Sequence, residues 1–430
     1  MFPFFNIDSP KRQFLRVNFI GIQSALRNCV ATSHDVKTMQ TISTTTPPNC
    51  TIAVGLSDPK AIVTKRLRAS WIELDELRSR KSEWDSLSNS ACYRNPSFES
   101  NYLLPALNHL GSDTVRVMVV EQFAANESRL VGLVPFETKR IYRLPFKAAE
   151  IWKHDQCFDT TPLLEESVAA DAWKVVCQTL IRDGYSLISL DTVSAEPQFE
   201  SVLRQVEQSD NVFRFQRDHF QRAAFTPAET PEKYSKSHVS KSILKNTRRL
   251  MRRLEELGTV TWHQSNERSD YEQLANEFLR IEASGWKGEE GTALASNEST
   301  RAFYKELVLE STTQGKARFL SLNLDGRPIA MLSDIQSGAS VYSYKTAYDD
   351  AYAQYSPGQQ VEVKNIDLLH QDGIQFADSC TASGNSTINR IWGQKVAFQN
   401  LVLSLTPGVA RTAVKALPMI QSAVHRLRKN

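Results

Sequence analysis

Tyr344-Lys345-Thr346-Ala347-Tyr348-Asp349 runs through Tyr355-Ser356-Pro357-Gly358 into a helical pattern, and the reading of this passage decides the fold. Upstream, Ala317 to Leu324 and Ile329 to Ile335 are apolar runs around Asp325-Gly326-Arg327-Pro328, a β-hairpin pattern with an Asp-Gly turn. Val341 to Ala347 reads as a third strand. Downstream, Gln359 to Gln371 reads as a helix, Asp372-Gly373 as a turn and Ile374 to Asp378 as a strand. Strand, tight loop, helix, strand is a βαβ unit, whose loop is where α/β folds take an anionic cofactor. Ser356 suits an N-cap, Pro357 the first helical turn, and Gly358 a close approach of ligand to backbone. The free amides and positive end of that helix suit a phosphate or pyrophosphate, while the plainer reading is a simple helix start.

The length, 430 residues, predicts two or three domains, each with its own core. With 51 basic against 48 acidic residues, the net charge of +3 does not by itself call for a nucleic acid. No apolar run reaches the roughly 18 residues of a membrane helix. The six cysteines (Cys29, Cys50, Cys92, Cys157, Cys177, Cys380) include no Cys-x-x-Cys, and the eight histidines no His-x-x-x-His. A zinc site or a disulfide framework is therefore not expected, nor any metal, and a reducing cytoplasm is the simpler setting. Gly-x-Ser-x-Gly, Walker A and Gly-x-Gly-x-x-Gly are also missing, which removes the usual support for hydrolase, nucleotide-triphosphatase and Rossmann readings.

Taken in order, residues 1–61 read as a disordered or non-native segment, basic at Lys11, Arg12, Arg16 and Arg27, with translation from Met39 as a duller alternative. Trp71 to Trp84 and Ser97 to Leu110 read as helices, Thr114 to Gln122 and Leu130 to Thr138 as strands. Ala169 to Arg182 then reads as a helix, Asp183-Gly184 as a turn, and Tyr185 to Asp191 as a strand. The second half repeats this order: helix Arg301 to Thr312, the hairpin, helix, Asp-Gly, and a strand ending in Asp378. That order-level repeat predicts a duplicated domain, residues 62–225 and 237–405, joined by 226–236. Ser237 to Leu257 reads as one helix with an apolar face and a basic stripe of Lys241, Lys245, Arg248 and Arg252, beside Arg249 and Arg253. The stripe is either a solvated face or a grip on a polyanion, such as a cofactor's phosphates or RNA. Residues 406–430 form a basic amphipathic helical segment, split or kinked at Pro418. It packs on the domain or meets a membrane surface or partner.

Several of these pieces occur together in order: Arg248 to Leu254, Gly285-Trp286-Lys287-Gly288, Arg301-Ala302-Phe303-Tyr304, Asp325 to Ala330, Tyr344 to Asp349 and Tyr355 to Gly358. As a set they resemble the GNAT-superfamily acyltransferases of the CelD-like, or cellulose-biosynthesis, group. They are also similar to the FemAB peptidyltransferases. The resemblance spans roughly residues 62–405. It implies an α/β fold with a mixed sheet, arranged as tandem GNAT-like domains. It further implies transfer of an acyl group from acetyl-CoA or another acyl-CoA to an amine or hydroxyl of a sugar, polyamine or envelope-polymer precursor. FemAB relatives imply charged tRNA as the donor instead, and a degenerate pair would bind only a partner or the inner membrane face. One departure stands out: where CoA-binding members carry Arg/Gln-x-x-Gly-x-Gly/Ala, this chain has Gln354-Tyr355-Ser356-Pro357-Gly358, with one glycine and one amide fewer.

Acyl transfer needs a proton acceptor for the nucleophile, donors for the oxyanion, and a proton for the departing thiolate. Asp349 is a candidate base, or a turn former; Asp378 is a second carboxylate candidate, or a loop cap. Tyr355 is a candidate acid toward the thiolate, or an aromatic in the core. Ser356, Pro357 and Gly358, with Lys345 and with Lys395 of Trp392-Gly393-Gln394-Lys395, are candidates for holding the cofactor. Trp286 and Lys287 are candidates for the acceptor. Cys380 has no histidine near it in sequence and is set aside as a nucleophile. In the first domain Asp159-Thr160-Thr161-Pro162 replaces the Ser-Pro-Gly loop, which assigns that domain to acceptor binding or a structural role.

Overall fold

The computed structural model describes residues 66–124, 127–139, 146–210, 212–265 and 271–418. The N-terminal segment 1–61 and the stretch expected to form a second short helix after Pro418 lie outside the described residues. The strands are β1 (Arg66–Ile72), β2 (Val115–Ala124), β3 (Glu127–Lys139), β4 (Ala148–Ile151), β5 (Leu163–Leu164), β6 (Leu187–Ser194) and β7 (Phe213–Phe225). They continue with β8 (Val260–Ser265), β9 (Ala317–Leu324), β10 (Arg327–Ser337), β11 (Ser340–Tyr348), β12 (Phe376–Asp378) and β13 (Gln394–Ser404).

All thirteen join one sheet, in the order β1-β2-β3-β4-β6-β13-β7-β12-β11-β10-β9-β8, with β5 set beside β3. Read from either edge inward, the order is the same: an antiparallel meander of three strands, a fourth strand, and a strand parallel to that fourth. The parallel pairs are β4 with β6 and β11 with β12; the other described pairings are antiparallel. The duplicated order expected from the sequence is thus the symmetry of the sheet, a mixed α/β pair of GNAT-like halves.

The halves are not side by side with a loose link. Strand β7, the last of the first half, pairs with β12 of the second, and β13, the last of the second, pairs with β6 of the first. Between them β7 and β13 pair from Phe213↔Ser404 to Ala224↔Gln394. Each half has handed its final strand to the other, which fuses two sheets into one. The join also differs from expectation: within it, Pro231–His238 is a helix, with the Thr230 side chain accepting from Lys233 N at 3.2 Å and Tyr234 buried.

Local chemistry accounts for the elements nearest the site. Asp325 and Gly326 take φ of 49° and 76°, the two left-handed residues that a tight two-residue hairpin turn requires between β9 and β10. The helix Pro357–Gln371 buries Val361, Ile366, Leu368 and Leu369 on the sheet. The helices Ser100–His109 and Glu298–Thr313 meet across the halves, with Tyr102 edge-on to Phe303 at 5.6 Å between ring centroids.

Other expected elements shift. Trp71 lies in strand β1, because register with β2 claims Arg66–Ile72; its indole donates to Asp183 Oδ2 at 2.7 Å and lies under the Arg116 guanidinium. The single helix expected over Trp71 to Trp84 begins later and is split in two, Leu74–Ser79 and Lys81–Ser90. The basic helix is Lys241–Glu255, parted from its predecessor at Val239 and Ser240, where Ser240 N bonds Arg390 O at 3.0 Å. The strand expected at Tyr185 to Asp191 runs from Leu187 to Ser194.

A helix over residues 409–418 closes the described chain and buries Ala410, Val414 and Leu417 against Ala148, Leu187 and Val402. Its apolar face is therefore spent on the protein's own sheet. Leu417→Ala should cost about 2–4 kcal/mol of stability in a urea titration, the usual cost of emptying a closed leucine site. A change below about 0.5 kcal/mol, the scale of ordinary surface substitutions, would mean the helix is not docked.

Candidate active site

Strands β11 and β12 pair only from Ser340↔Phe376 to Tyr342↔Asp378. Beyond that point β11 runs on to Tyr348 while the chain after Asp378 turns away, Cys380 taking a left-handed φ of 52°. Two parallel strands that diverge leave a fork between their facing edges. A cleft of about 510 Å³ lies in it, between Ser343–Thr346 on one side and Ser379–Thr381 on the other. A bulge sharpens the opening: opposite β10, Lys345 pairs with Ser333 and Ser343 with Asp334, so Tyr344 is an extra residue in β11.

The cleft's end wall is the start of the helix Pro357–Gln371, with Ser356, Pro357, Gly358 and Gln359 all lining it. Ser356 sits at the N-cap position but with φ of 49° and no side-chain capping bond; its N–H goes to Ala353 O at 2.9 Å. Pro357 has no N–H, so the first-turn amides left for a ligand are those of Gly358 and Gln359. Gly358 lies close against the strand: a Cβ there would meet Tyr348 Cδ1 at 3.0 Å. The absent side chain thus serves contact between helix and strand, as well as the ligand approach expected of it.

Glu362, one turn further along the same helix, lines the cleft and was not singled out by the sequence. It is buried; its Oε1 accepts from Thr346 Oγ1 at 2.6 Å, and its Oε2 has no hydrogen-bond partner among the described residues. Burial raises its carboxyl to about 7, with the nearby Asp334 adding to the effect and the Thr346 hydroxyl opposing it. Asp334 on β10 is raised to about 6, again mainly by burial, and accepts from Asn365 Nδ2 at 3.3 Å. The missing signal was three-dimensional: Gln359-Gln360-Val361-Glu362 looks like an ordinary helix face until β11 is laid against it.

Lys345 and Lys287 both line the cleft, and each ammonium lies 3.2 Å from the same Glu282 Oε1. Glu282 is buried behind them, its Oε2 accepting from Leu294 N at 2.8 Å. Burial lowers the Lys345 ammonium, and the Glu282 carboxylate counters it.

Asp378, Asp349, Tyr355 and Lys395 are not among the residues that line the cleft. Asp378 is buried in a two-pronged ion pair with Arg222, at 2.6 Å to Nε and 2.5 Å to Nη2, and also accepts from Cys380 N. A carboxylate so neutralised is a brace for the fork, not a base. Asp349 accepts from Ala351 N at 3.1 Å and starts the turn of helix that follows, the turn-former alternative. Tyr355 packs in the core with Leu254, Val361 and Leu368 and does not reach the cleft, which leaves it the aromatic role. Lys395 is on β13, donating to Asn389 Oδ1 at 2.5 Å, away from the cleft. Trp286 opens a short helix, Trp286–Glu289, and its side chain lies outside the described part of the structure.

The first half contributes a wall. Phe158, from the loop after β4, lines the cleft, and its carbonyl accepts from Arg222 Nη1 at 2.7 Å. The equivalent fork between β4 and β6 is filled by its own chain: Thr160 N and Oγ1 bond Thr192 O and Asp191 O, and Ser194 N bonds Thr161 Oγ1. Asp159 lies buried there, its carboxyl raised to about 6 by burial. The fork of the first half is thus plugged by its own chain, whereas that of the second half is open.

The second half thus carries a forked parallel strand pair with a helix N-terminus at its mouth. Residues 241–386 match the family described as Acetyltransferase (GNAT) domain. Among solved structures the chain is similar to FemX, at 10% identity with a TM-score of 0.51, over 79% of this chain and 97% of that one. It is also similar to the C-terminal domain of a putative lysylphosphatidylglycerol synthetase from Agrobacterium fabrum, at 12% identity with a TM-score of 0.50, over 81% and 96%. At such identities the likeness is one of fold. No curated protein sequence matches the chain. Among the described residues no helix is long and apolar enough to cross a membrane, and no group of three or more acidic, histidine or cysteine side chains is placed to hold a metal ion.

Proposed function

We propose that the chain is an acyl-CoA-dependent N- or O-acyltransferase whose working site is the cleft of the second half. The observation that carries this reading is the position of Glu362, a buried carboxyl titrating near neutrality inside an open fork. A base with that affinity is suited to taking the proton of an acceptor amine or hydroxyl at physiological pH. The unpaired edge of β11 around the Tyr344 bulge offers backbone amides to the oxygen of a thioester carbonyl. The residues at the helix start fit a phosphorylated donor: the Gly358 and Gln359 amides and the positive helix end favour an anion there. The bond formed is acyl carbon to acceptor nitrogen or oxygen and the bond broken is acyl carbon to sulfur; Glu362 takes the proton that the nucleophile loses and returns it through solvent to the departing thiolate, which leaves as the thiol.

The resemblance to the cellulose-biosynthesis group supports a sugar, polyamine or envelope-polymer precursor as acceptor, and a site facing the cytoplasm. Thermal unfolding with and without acetyl-CoA tests the donor. The midpoint should rise with acetyl-CoA and the rise should vanish in Gly358→Trp, whose side chain crowds Tyr348 and Thr346 in the cleft wall. A folded protein with no shift at millimolar acetyl-CoA overturns the acyl-CoA reading.

A second reading, a FemAB-like transferase using aminoacyl-tRNA, is favoured by one observation. Lys241, Lys245, Arg248, Arg249, Arg252 and Arg253 are all exposed on one helix. That helix packs on the cleft's end wall, where Thr247 Oγ1 accepts from Gln359 Nε2 at 2.9 Å. RNA binding that falls steeply with added salt would mark that reading.

A further inference from the structure

A second cavity, of about 10 Å³, adjoins the cleft and shares three lining residues with it: Phe158, Tyr344 and Cys380. Its other lining residues are buried, among them Tyr102, Ile335 and Tyr342. The three shared residues stand at the base of the fork. The last paired residues there are Tyr342 and Asp378, and Tyr344 and Cys380 each lie two positions beyond, on opposite arms. Phe158 enters from the first half, half-buried, with its ring edge-on to Tyr344 at 5.9 Å between centroids. Together they form a partition, with the open cleft on one side and room for about one water-sized group on the other.

The partition is fastened from several sides. Arg222 on β7 holds the Phe158 carbonyl at 2.7 Å. Two residues earlier, Gln156 Oε1 accepts from the Tyr344 hydroxyl at 2.9 Å, and the Gln156 carbonyl accepts from the Tyr102 hydroxyl. On the other side of Phe158, Asp159 Oδ1 accepts from Thr161 N at 2.8 Å and from Thr161 Oγ1 at 2.6 Å. The Tyr344 ring in turn stacks on Tyr304, with 5.8 Å between centroids. The loop that carries Phe158 is therefore tied to the strand it faces, and the two rings are held against each other.

We propose that Phe158, backed by Tyr344, closes the acyl end of the cleft and restricts the donor to short acyl groups, so that the first half of the chain sets the donor specificity of the second. The proposal rests on the acyl-CoA reading, in which the amides beside the Tyr344 bulge face the thioester carbonyl and so place the acyl chain against this partition. Methylenes added to a short chain must displace packed rings, and a close-packed wall yields poorly to added volume. Asp159 and Arg222 also line the small cavity, and charged groups there give an alkyl chain no apolar surface to bury.

Calorimetry on the full chain with CoA, acetyl-CoA, butyryl-CoA and hexanoyl-CoA tests it. The parent should bind hexanoyl-CoA about tenfold or more weakly than acetyl-CoA, the scale on which a closed pocket discriminates against added methylenes. Phe158→Ala, which joins the cleft to the space behind the ring, should bring the two affinities within about threefold of each other. The ratio is read within each variant, so a general loss of stability or of CoA affinity does not produce that result. Should Phe158→Ala not fold, the milder Phe158→Leu carries the same comparison with butyryl-CoA, whose disadvantage should shrink by about threefold or more. A parent that binds hexanoyl-CoA as tightly as acetyl-CoA, or a ratio that the substitution leaves unmoved, overturns the partition and leaves the acyl-CoA reading standing. A folded parent that binds neither CoA nor any of its thioesters overturns both.

Discussion

Glu362→Gln is expected to lower the rate of acyl transfer by about 10²–10³-fold, the usual contribution of a positioned general base. It should also abolish a rise in rate with pH centred near 7. The sign follows from burial, which raises the carboxyl to about 7, so the base is protonated and idle below that pH and available above it. Thiol release from acetyl-CoA, followed from pH 5.5 to 8.5 with an acceptor that supports turnover, provides the profile. The same shift separates catalysis from folding. Because the folded state holds this proton and the unfolded chain releases it above its ordinary carboxylate range, the site's contribution to stability is full at low pH. It declines as pH rises toward 7, beyond which both states are ionised and nothing further is lost. Glutamine does not titrate, so the variant should match or exceed the parent's stability at pH 8 while remaining slow. An unchanged pH profile with a rate within about threefold would remove Glu362 from the mechanism, being far below the effect of a general base.

Asp378→Ala should be the most destabilising of the substitutions considered, by about 3–5 kcal/mol in guanidinium titration, because it strands a buried guanidinium. Arg222 belongs to β7 and Asp378 to β12, so their two-pronged pair is a fastening at the point where one half's last strand enters the other's sheet. Arg222 also lies over the Phe398 ring at 4.0 Å and holds the Phe158 carbonyl, which fixes a wall of the cleft. Replacing both partners, Arg222→Met with Asp378→Leu, should recover most of the loss, since an apolar pair of similar volume satisfies a dry site without the desolvation cost. Full stability in the single variant would show that the pair is not the brace its burial suggests. A double variant that is stable yet no longer binds acetyl-CoA would assign Arg222 a further part in holding the Phe158 wall.

The sequence by itself determined the local steps that rest on short-range chemistry. Asp325-Gly326 fixed the hairpin, because few other pairs adopt two left-handed residues without strain. Ser356-Pro357-Gly358 fixed the helix start, and Ala169–Arg182 ended where the sequence pattern placed it. The repeat of element order along the chain recurs in the strand order at the two ends of the sheet. Of the expected site residues, Lys287, Lys345, Ser356, Pro357 and Gly358 line one cleft, since they lie on or beside the fork that this local order creates.

Only the tertiary structure decided the rest. The exchange of β7 and β13 depends on pairing between residues some 180 positions apart, which no local pattern encodes. Asp378 looked like a free carboxylate at a strand end until Arg222, 156 residues earlier, was brought against it. Glu362 looked like one more polar helix residue until Thr346 and the sheet buried it and moved its proton affinity to neutrality. Charge and proton affinity in this protein are set by burial and by partners distant in the chain, and those are properties of the fold.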